Sequence, residues 1–193
     1  QITKMLFPDR VSRNPVVCYL RDHMKEHEKI PFVEDYEIVF HGPRQVEILI
    51  YEKSVVGYVS CMSSYMYFDK DGIVTEISDE RTEGVPQVTG LSFDHVLLHE
   101  PLPVEDAGVF RSILNITQLV NKYNLSVDRI YFGKEGNLIL YFDNVKAALG
   151  TGDNLDEKIM RLQYMLPNLE GKSGTLRMEN YTEETKNTSF EPD

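Results

Sequence analysis

Two histidines near the start of the chain have the spacing of a zinc site. Residues 23–27 follow the H-x-x-E-H order of inverted zinc proteases, in which two imidazoles bind the metal and the glutamate is the general base. Both histidines fall in the last, charge-rich turns of a predicted helix, where a cationic histidine suits the helix dipole. No long helix downstream offers a third ligand. We therefore predict no metal site and no catalytic residue, and a zinc hydrolase using His23 and His27 ranks last among the candidate functions.

Two other short motifs match ligand sites only in part. His95 and His99 repeat the same spacing, but their surroundings indicate a strand or loop, where that spacing does not bring two side chains together. Residues 150–152 contain two glycines but lack the Lys-Ser/Thr pair that follows in a phosphate-binding loop. Neither motif predicts a bound cofactor.

The acidic turn at residues 69–72 has the composition of part of a calcium loop. Aligning Gly72 with the glycine of that loop places Tyr67 and Ser78 at the first and last ligand positions, which require Asp and Glu. The calcium interpretation therefore fails, and the turn is typical of a β-hairpin in which glycine supplies a positive φ. Aromatic residues on the flanking strands indicate cross-strand packing, with a ligand groove as the alternative.

Composition limits the class of protein and of partner. The 193 residues suffice for one large domain or two small ones, with 41% hydrophobic and 26% charged residues as in soluble globular chains. A net charge of −11 without a basic stripe argues against nucleic acids and anionic membrane surfaces as partners.

No apolar run in the sequence is long enough for a membrane span. Because the first residue is Gln1, we expect a fragment of a longer protein. Cys18 and Cys61 are interpreted as small buried residues, with one disulfide as the alternative.

The apolar pattern predicts a mixture of helices and strands. Asn14 caps a helix that begins at Pro15 and ends near Lys29, ahead of Pro31. Two further helices carry apolar stripes, at Phe110, Ile113, Leu114, Thr117 and Val120, and at Leu155, Ile159, Leu162 and Leu166. Strands are predicted at residues 37–40, 45–51, 55–59, 65–68, 73–77, 127–132, 138–142, 145–149 and 175–181. Residues 183–193 are acidic and polar, and we expect them to fray.

Several pieces of the chain, none of them catalytic, occur in the order of one family. They are Ile30 to Glu34 with the strand pair at 37–40 and 46–51, the passage Glu52 to Tyr58, the turn Phe68 to Gly72, the elbow Val85 to Gly90, and the closing order of Leu149-Gly150, helix 155–166 and strand 174–181. Over about residues 15–182 this order resembles the extracytoplasmic part of the bacterial division protein FtsQ/DivIB.

The resemblance implies an α+β fold in two domains. Residues 1–54 would be a partial POTRA domain, a helix plus a β-hairpin, whose N-terminal strand is missing and in which Ile2 to Phe7 is a remnant of an earlier helix. Residues 55–182 would be a larger mixed β-sheet domain with two packed helices. Residues 183–193 would be an acidic C-terminal tail.

The resemblance further implies a non-enzymatic scaffold for septum formation. The whole protein would be a single-pass membrane protein of the division septum, with this part outside the cytoplasm. It would bind FtsB/DivIC-like and FtsL-like division proteins and act with the septal peptidoglycan synthase complex. In the family the partner adds along the last strand of the second domain, as an extra strand on an open edge. Carried to this sequence, the partner-binding residues are Leu176, Arg177, Met178, Glu179, Asn180, Tyr181 and Thr182.

The second candidate function is a POTRA-type interaction module of envelope assembly or secretion. Repeated POTRA units in the whole protein would favour it, whereas the different second domain disfavours it. We rank it below the division scaffold and above the zinc hydrolase.

Overall fold

A computed structural model describes residues 14–24, 32–43, 45–182 and 184–193. The chain divides into two compact units, residues 1–53 and 54–193, and each is described by itself. The predicted helical remnant at Ile2 to Phe7, the expected helix end near Lys29, and His27 lie outside the described residues, as does the side chain of His23.

The described part of the first unit begins with a capped helix. Helix α1 spans Pro15–Met24, and the side-chain oxygen of Asn14 accepts a hydrogen bond from the N–H of Val16 (3.0 Å). This is the contact that an N-cap asparagine makes with the otherwise unpaired N–H groups of a first turn. The predicted helix start is confirmed.

Two antiparallel strands complete the described part of the first unit. Strand β1 (Val33–Gly42) pairs along its length with β2 (Gln45–Glu52). β1 begins four residues before the predicted strand, because Val33 and Tyr36 are both buried and extend its apolar face. The ring of Tyr19 lies 5.6 Å from the ring of Phe40, which places α1 against the ribbon.

The second unit is a nine-stranded mixed sheet with two main helices. Its elements are β3 (Gly57–Cys61), β4 (Ser64–Phe68), β5 (Val74–Ser78), β6 (Gln87–Thr89), α2 (Gly108–Lys122), β7 (Arg129–Phe132), β8 (Leu138–Phe142), β9 (Val145–Gly150), α3 (Leu155–Met165), β10 (Gly174–Arg177) and β11 (Ser189–Pro192), with 3-10 turns at Lys134–Gly136 and Leu166–Leu169. The strand order is β11-β10-β9-β8-β7-β6-β3-β4-β5. The predicted α+β class is confirmed.

The hydrophobic core of the second unit lies on one face of the sheet. Alternate residues of β8 and β9, such as Leu140 and Ala147, join a single buried cluster with Ile113 of α2 and Ile159 of α3. Because neighbouring strand residues point to opposite faces, the intervening side chains, Lys146 among them, lie on the other face. Cys61 is a free, half-buried cysteine packed against the cluster, so the predicted buried role fits it better than the disulfide.

The buried stripe of α2 differs in part from the predicted one. Phe110, Ile113 and Val120 are buried as expected, whereas Leu114 and Thr117 are only half-buried. Three other apolar residues complete the buried face, namely Val109, Ile116 and Leu119. The Thr117 hydroxyl instead donates to the carbonyl oxygen of Leu114 (2.9 Å), which satisfies it within the helix.

The turn at residues 69–72 forms the predicted hairpin between β4 and β5. The carboxylate of Asp69 accepts the N–H groups of Asp71 (2.9 Å) and Ile73 (3.0 Å), and the N–H of Gly72 bonds to the carbonyl oxygen of Asp69. These bonds use the acidic side chain as a turn former. The ring of Tyr67 packs across strands as expected, 5.4 Å from that of Tyr58 on β3. The ring of Phe68 instead lies 5.5 Å from that of Phe110 on α2.

The C-terminal residues contradict two expectations. The strand predicted at 175–181 ends at Arg177, and the tail at 183–193, expected to fray, contains β11, which pairs antiparallel with β10. β11 forms because Phe190 packs against the core while its polar neighbours face away. Exposed ion pairs join Arg177 to Glu191 and Lys146 to the carboxylate of Asp193.

Two glycines with a positive backbone φ provide a matched test of the close approach between the segment after β6 and the end of β7. Gly90 has φ +86°, and a methyl group there would fall on the carbonyl oxygen of Phe132, whereas Gly84 has φ +79° and open space around it. We expect Gly84→Ala to lower the free energy of unfolding by about 1 kcal/mol, the cost of the left-handed backbone alone. Gly90→Ala should cost about 3 kcal/mol or more, because the backbone must also move.

Urea denaturation of both variants beside wild type measures the difference. Equal losses for the two variants would contradict the close approach of Gly90 to Phe132.

Candidate partner-binding edge

Strand β10 lies between two strands and divides its backbone hydrogen bonds between them. The N–H groups of Gly174 and Met178 donate to the carbonyl oxygens of Asn144 (3.2 Å) and Ala148 (2.9 Å), on the β9 side. The N–H of Asp193 donates to the carbonyl oxygen of Ser173 (3.1 Å), on the β11 side. Since backbone groups alternate along a strand, the polar groups of Thr175 and Arg177 also face β11. Both edges of β10 are therefore occupied by the protein's own strands.

The side chains predicted to bind the partner fall into two groups. Leu176 and Met178 are fully buried and Tyr181 is 5% exposed, so these three belong to the core. Arg177 and Asn180 are exposed, and Glu179 and Thr182 are half-buried. Only the second group can offer side chains to a partner. The first group holds the segment in place.

Arg177 is the electrostatic centre of this end of the sheet. Its Nε donates to Glu191 on β11 (3.0 Å), and its Nη1 donates to Glu179 (3.1 Å). These hydrogen bonds, that to Glu191 first, raise the pKa of Arg177 above its ordinary value. The guanidinium therefore remains charged, and it joins the end of β10 to the outer strand.

The side chain of Lys158 also holds the end of β10 in place. It is 2% exposed, and its Nζ donates to the carbonyl oxygens of Leu149 (2.6 Å) and Glu179 (3.2 Å). Leu149 is near the end of β9 and Glu179 follows β10, so one ammonium group ties α3 to both strands. Burial lowers the pKa of Lys158, since desolvation outweighs the favourable charges of Asp153 and Glu179.

The opposite end of the sheet is partly covered by a loop. The N–H of Val74 on β5 donates to the carbonyl oxygen of Glu100 (3.0 Å), and its carbonyl oxygen accepts the N–H of His99 (2.7 Å). Ile73 and Pro101 form a further bridge beside them. The backbone of β5 is thus paired on its outer side at this point, and the C-terminal end of the sheet is the better candidate for partner binding.

The histidine motifs gain no support as metal sites. Within the described ranges, no group of three or more His, Cys, Asp or Glu side chains could hold a metal ion. His99 lies in the loop beside β5 and uses its backbone there. The low-ranked zinc alternative at His23 and His27 is untested, because His27 and the side chain of His23 lie outside the described residues.

Two parts of the site were missed by sequence reasoning. The alternation Ser189-Phe190-Glu191 is the one signal that could have revealed β11, because a single aromatic residue stands between polar neighbours. The burial of Lys158 had no signal in the sequence, since most helix lysines are exposed.

Comparison with known proteins shows a distant similarity to a division protein. No family model matches the chain. The cell division protein DivIB of Clostridium acetobutylicum is 22% identical over 131 residues, which cover 67% of this chain and 52% of that protein. The chain is similar to a cell-division protein. It spans about half the length of this curated relative.

The helices of the described residues include none long and apolar enough to cross a membrane.

Lys158 supplies a pH-dependent test of the site. Its folded-state pKa is below the ordinary value of 10.5, so between these two values the unfolded chain binds more protons and wild-type stability rises with pH. Lys158→Met lacks this gain. We expect the free energy of unfolding of wild type, relative to the variant, to increase as the pH is raised through the alkaline range towards 10.5.

Urea denaturation at several pH values measures this difference. Lys134→Met, which removes an exposed lysine, is the matched control. A difference between wild type and Lys158→Met that stays constant or falls with pH would contradict the lowered pKa.

Proposed function

We propose that this chain is the extracytoplasmic part of a division scaffold of the FtsQ/DivIB type. The observation that carries the proposal is the similarity to DivIB, which extends over two thirds of the chain. The ordered motifs noted in the sequence and the α+β fold support the same assignment. In this proposal the protein catalyses no reaction, and the whole molecule is anchored in the membrane at the septum by a single helix.

The proposed partners are FtsB/DivIC-like and FtsL-like division proteins, and the septal peptidoglycan synthase complex acts with them. The partner contributes an extended segment that pairs with the backbone at the C-terminal end of the sheet. Main-chain hydrogen bonds supply affinity in this mode of recognition, and the alternating side chains supply specificity.

The structure changes which of the predicted residues could contact such a partner. Of the seven, Arg177, Glu179, Asn180 and Thr182 are accessible at least in part. Leu176, Met178 and Tyr181 would act indirectly, because their burial fixes the register of β10. Truncating Tyr181 to Ala would test stability and not recognition, since it removes a core side chain.

Site-specific crosslinking tests the location without disturbing the edge. A photo-reactive phenylalanine derivative replaces Asn180, which is exposed beyond the end of β10, or Ile77, which is 38% exposed on β5. We expect the Asn180 variant to crosslink to the extracytoplasmic segment of the DivIC-like protein, alone or with the FtsL-like protein. The Ile77 variant is the matched control at the far end of the sheet.

The crosslinking result tests the location of the binding site, and the binding result tests the proposed function. Crosslinking from Ile77 alone would move the binding site to the other end. No binding of either partner segment by folded protein, tested singly and together, would contradict the scaffold proposal.

A further inference from the structure

A partner strand can reach the C-terminal end of the sheet in two ways. It can add to the outer edge of β11, or it can take the place of β11 beside β10. The backbone groups that each edge offers distinguish the two arrangements.

The outer edge of β11 is poor in hydrogen-bond donors. The alternation that directs Ser189 and Glu191 towards β10 leaves the backbone groups of Phe190 and Pro192 facing outwards. Proline has no N–H, so within β11 the outer edge offers the N–H of Phe190 alone. A proline on an edge strand is a recognised obstacle to further pairing.

The edge of β10 that pairs with β11 is better suited to bind an added strand. It presents the N–H and carbonyl groups of Thr175 and Arg177, together with the carbonyl oxygen of Ser173. The other edge of β10 stays bonded to β9, and Leu176 and Met178 remain in the core. A strand that replaced β11 would therefore meet a preformed and rigid ladder.

The contacts that hold β11 are few and largely exposed. Its ladder with β10 covers Ser189–Pro192, and three of these four residues are exposed. Beyond the ladder, Asp193 donates its N–H to the carbonyl oxygen of Ser173, and its carboxylate accepts the exposed Ser173 hydroxyl. The Arg177–Glu191 pair has side chains 47% and 58% exposed, and the Lys146–Asp193 pair 42% and 52%. Such exposed pairs contribute little to stability. Only Phe190 packs against the core, and it is half-buried. Local opening of β11 thus needs less free energy than unfolding of the sheet.

We propose, resting on the function proposed above, that a strand of the partner replaces β11 and pairs with β10 in its place. The partner fitted to this edge is an extended antiparallel segment with an aromatic residue followed directly by an acidic one. The ring takes the position of Phe190, which packs close over Gly174, where an added Cβ would lie 2.8 Å from Phe190 Cζ. The carboxylate takes the position of Glu191 on Arg177, and a second acid two residues later meets Lys146.

Amide hydrogen exchange tests the opening of β11 residue by residue. The N–H of Arg177 faces β11, whereas that of Met178 is bonded to Ala148 on β9. We expect Arg177 to exchange at least about tenfold faster than Met178 by NMR, because it is released whenever β11 opens. Equal protection of the two amides would overturn the proposal.

A disulfide between the two strands supplies the locked control. Thr175 and Glu191 are directly opposite and hydrogen-bonded, a separation that a disulfide can span. The variant is Thr175→Cys with Glu191→Cys, in a background of Cys18→Ser and Cys61→Ser. Its reduced form keeps the fast exchange at Arg177, and its oxidised form loses it.

Binding measurements with two ligands then distinguish a failure of strand replacement from a failure of the scaffold function. The probe is a peptide with the sequence of residues 187–193, used at millimolar concentration to compete with the tethered strand. Binding to the reduced but not the oxidised form supports replacement, and equal binding or none overturns it. The DivIC-like segment is the second ligand. If it binds both forms equally, replacement is wrong and the scaffold stands. If the peptide binds the reduced form and the segment binds neither, the scaffold function fails while the acceptor edge stands.

Discussion

Alternate residues of strand β10 differ both in the face to which the side chain points and in the neighbouring strand to which the backbone bonds. The packing of the C-terminal half of the second unit depends on this alternation. Leu176 in the strand and Met178 just after it point their side chains into the core and their backbone groups to β9. The odd-numbered residues of β10, Thr175 and Arg177, carry polar side chains on the other face and bond towards β11. A slip of one residue would expose Leu176 and bury a guanidinium, so burial fixes the register. The same register decides which groups an added strand would meet.

The two neighbours of β10 are held with different strength. On the β9 side, buried side chains continue into the core, and Lys158 ties the carbonyl groups of Leu149 and Glu179 to helix α3. On the β11 side, one half-buried ring and exposed ion pairs complete a four-residue ladder. A firmly held strand beside a weakly held one is the arrangement that strand exchange requires. In the proposed scaffold, it would let the protein keep its edge covered until a partner is present.

Sequence reasoning reached the class of fold because its main signals are local. The hairpin around Gly72 and the apolar stripe at Ile159 and Leu162 were read from spacing alone and occur as expected. The sequence predicts a strand that is too long, to residue 181, because the alternation of Leu176 and Met178 continues an extended pattern. A turn in which the N–H of Tyr181 bonds to the carbonyl oxygen of Met178 follows the strand, and both side chains are buried in the core formed with distant residues. The order of nine strands and the burial of Lys158 likewise arise from contacts between distant residues. The proposed partner edge came from a family resemblance, and the structure adds the two strands that now flank it.

In the proposed function, the C-terminal end of this sheet receives a division partner. The most direct test is amide hydrogen exchange of the whole chain, with and without the DivIC-like and FtsL-like segments together. We expect added protection at residues 173–182, loss of protection in β11, and no change at β5. Protection at β5 or along the first unit, or no protection anywhere in a folded protein, would contradict it.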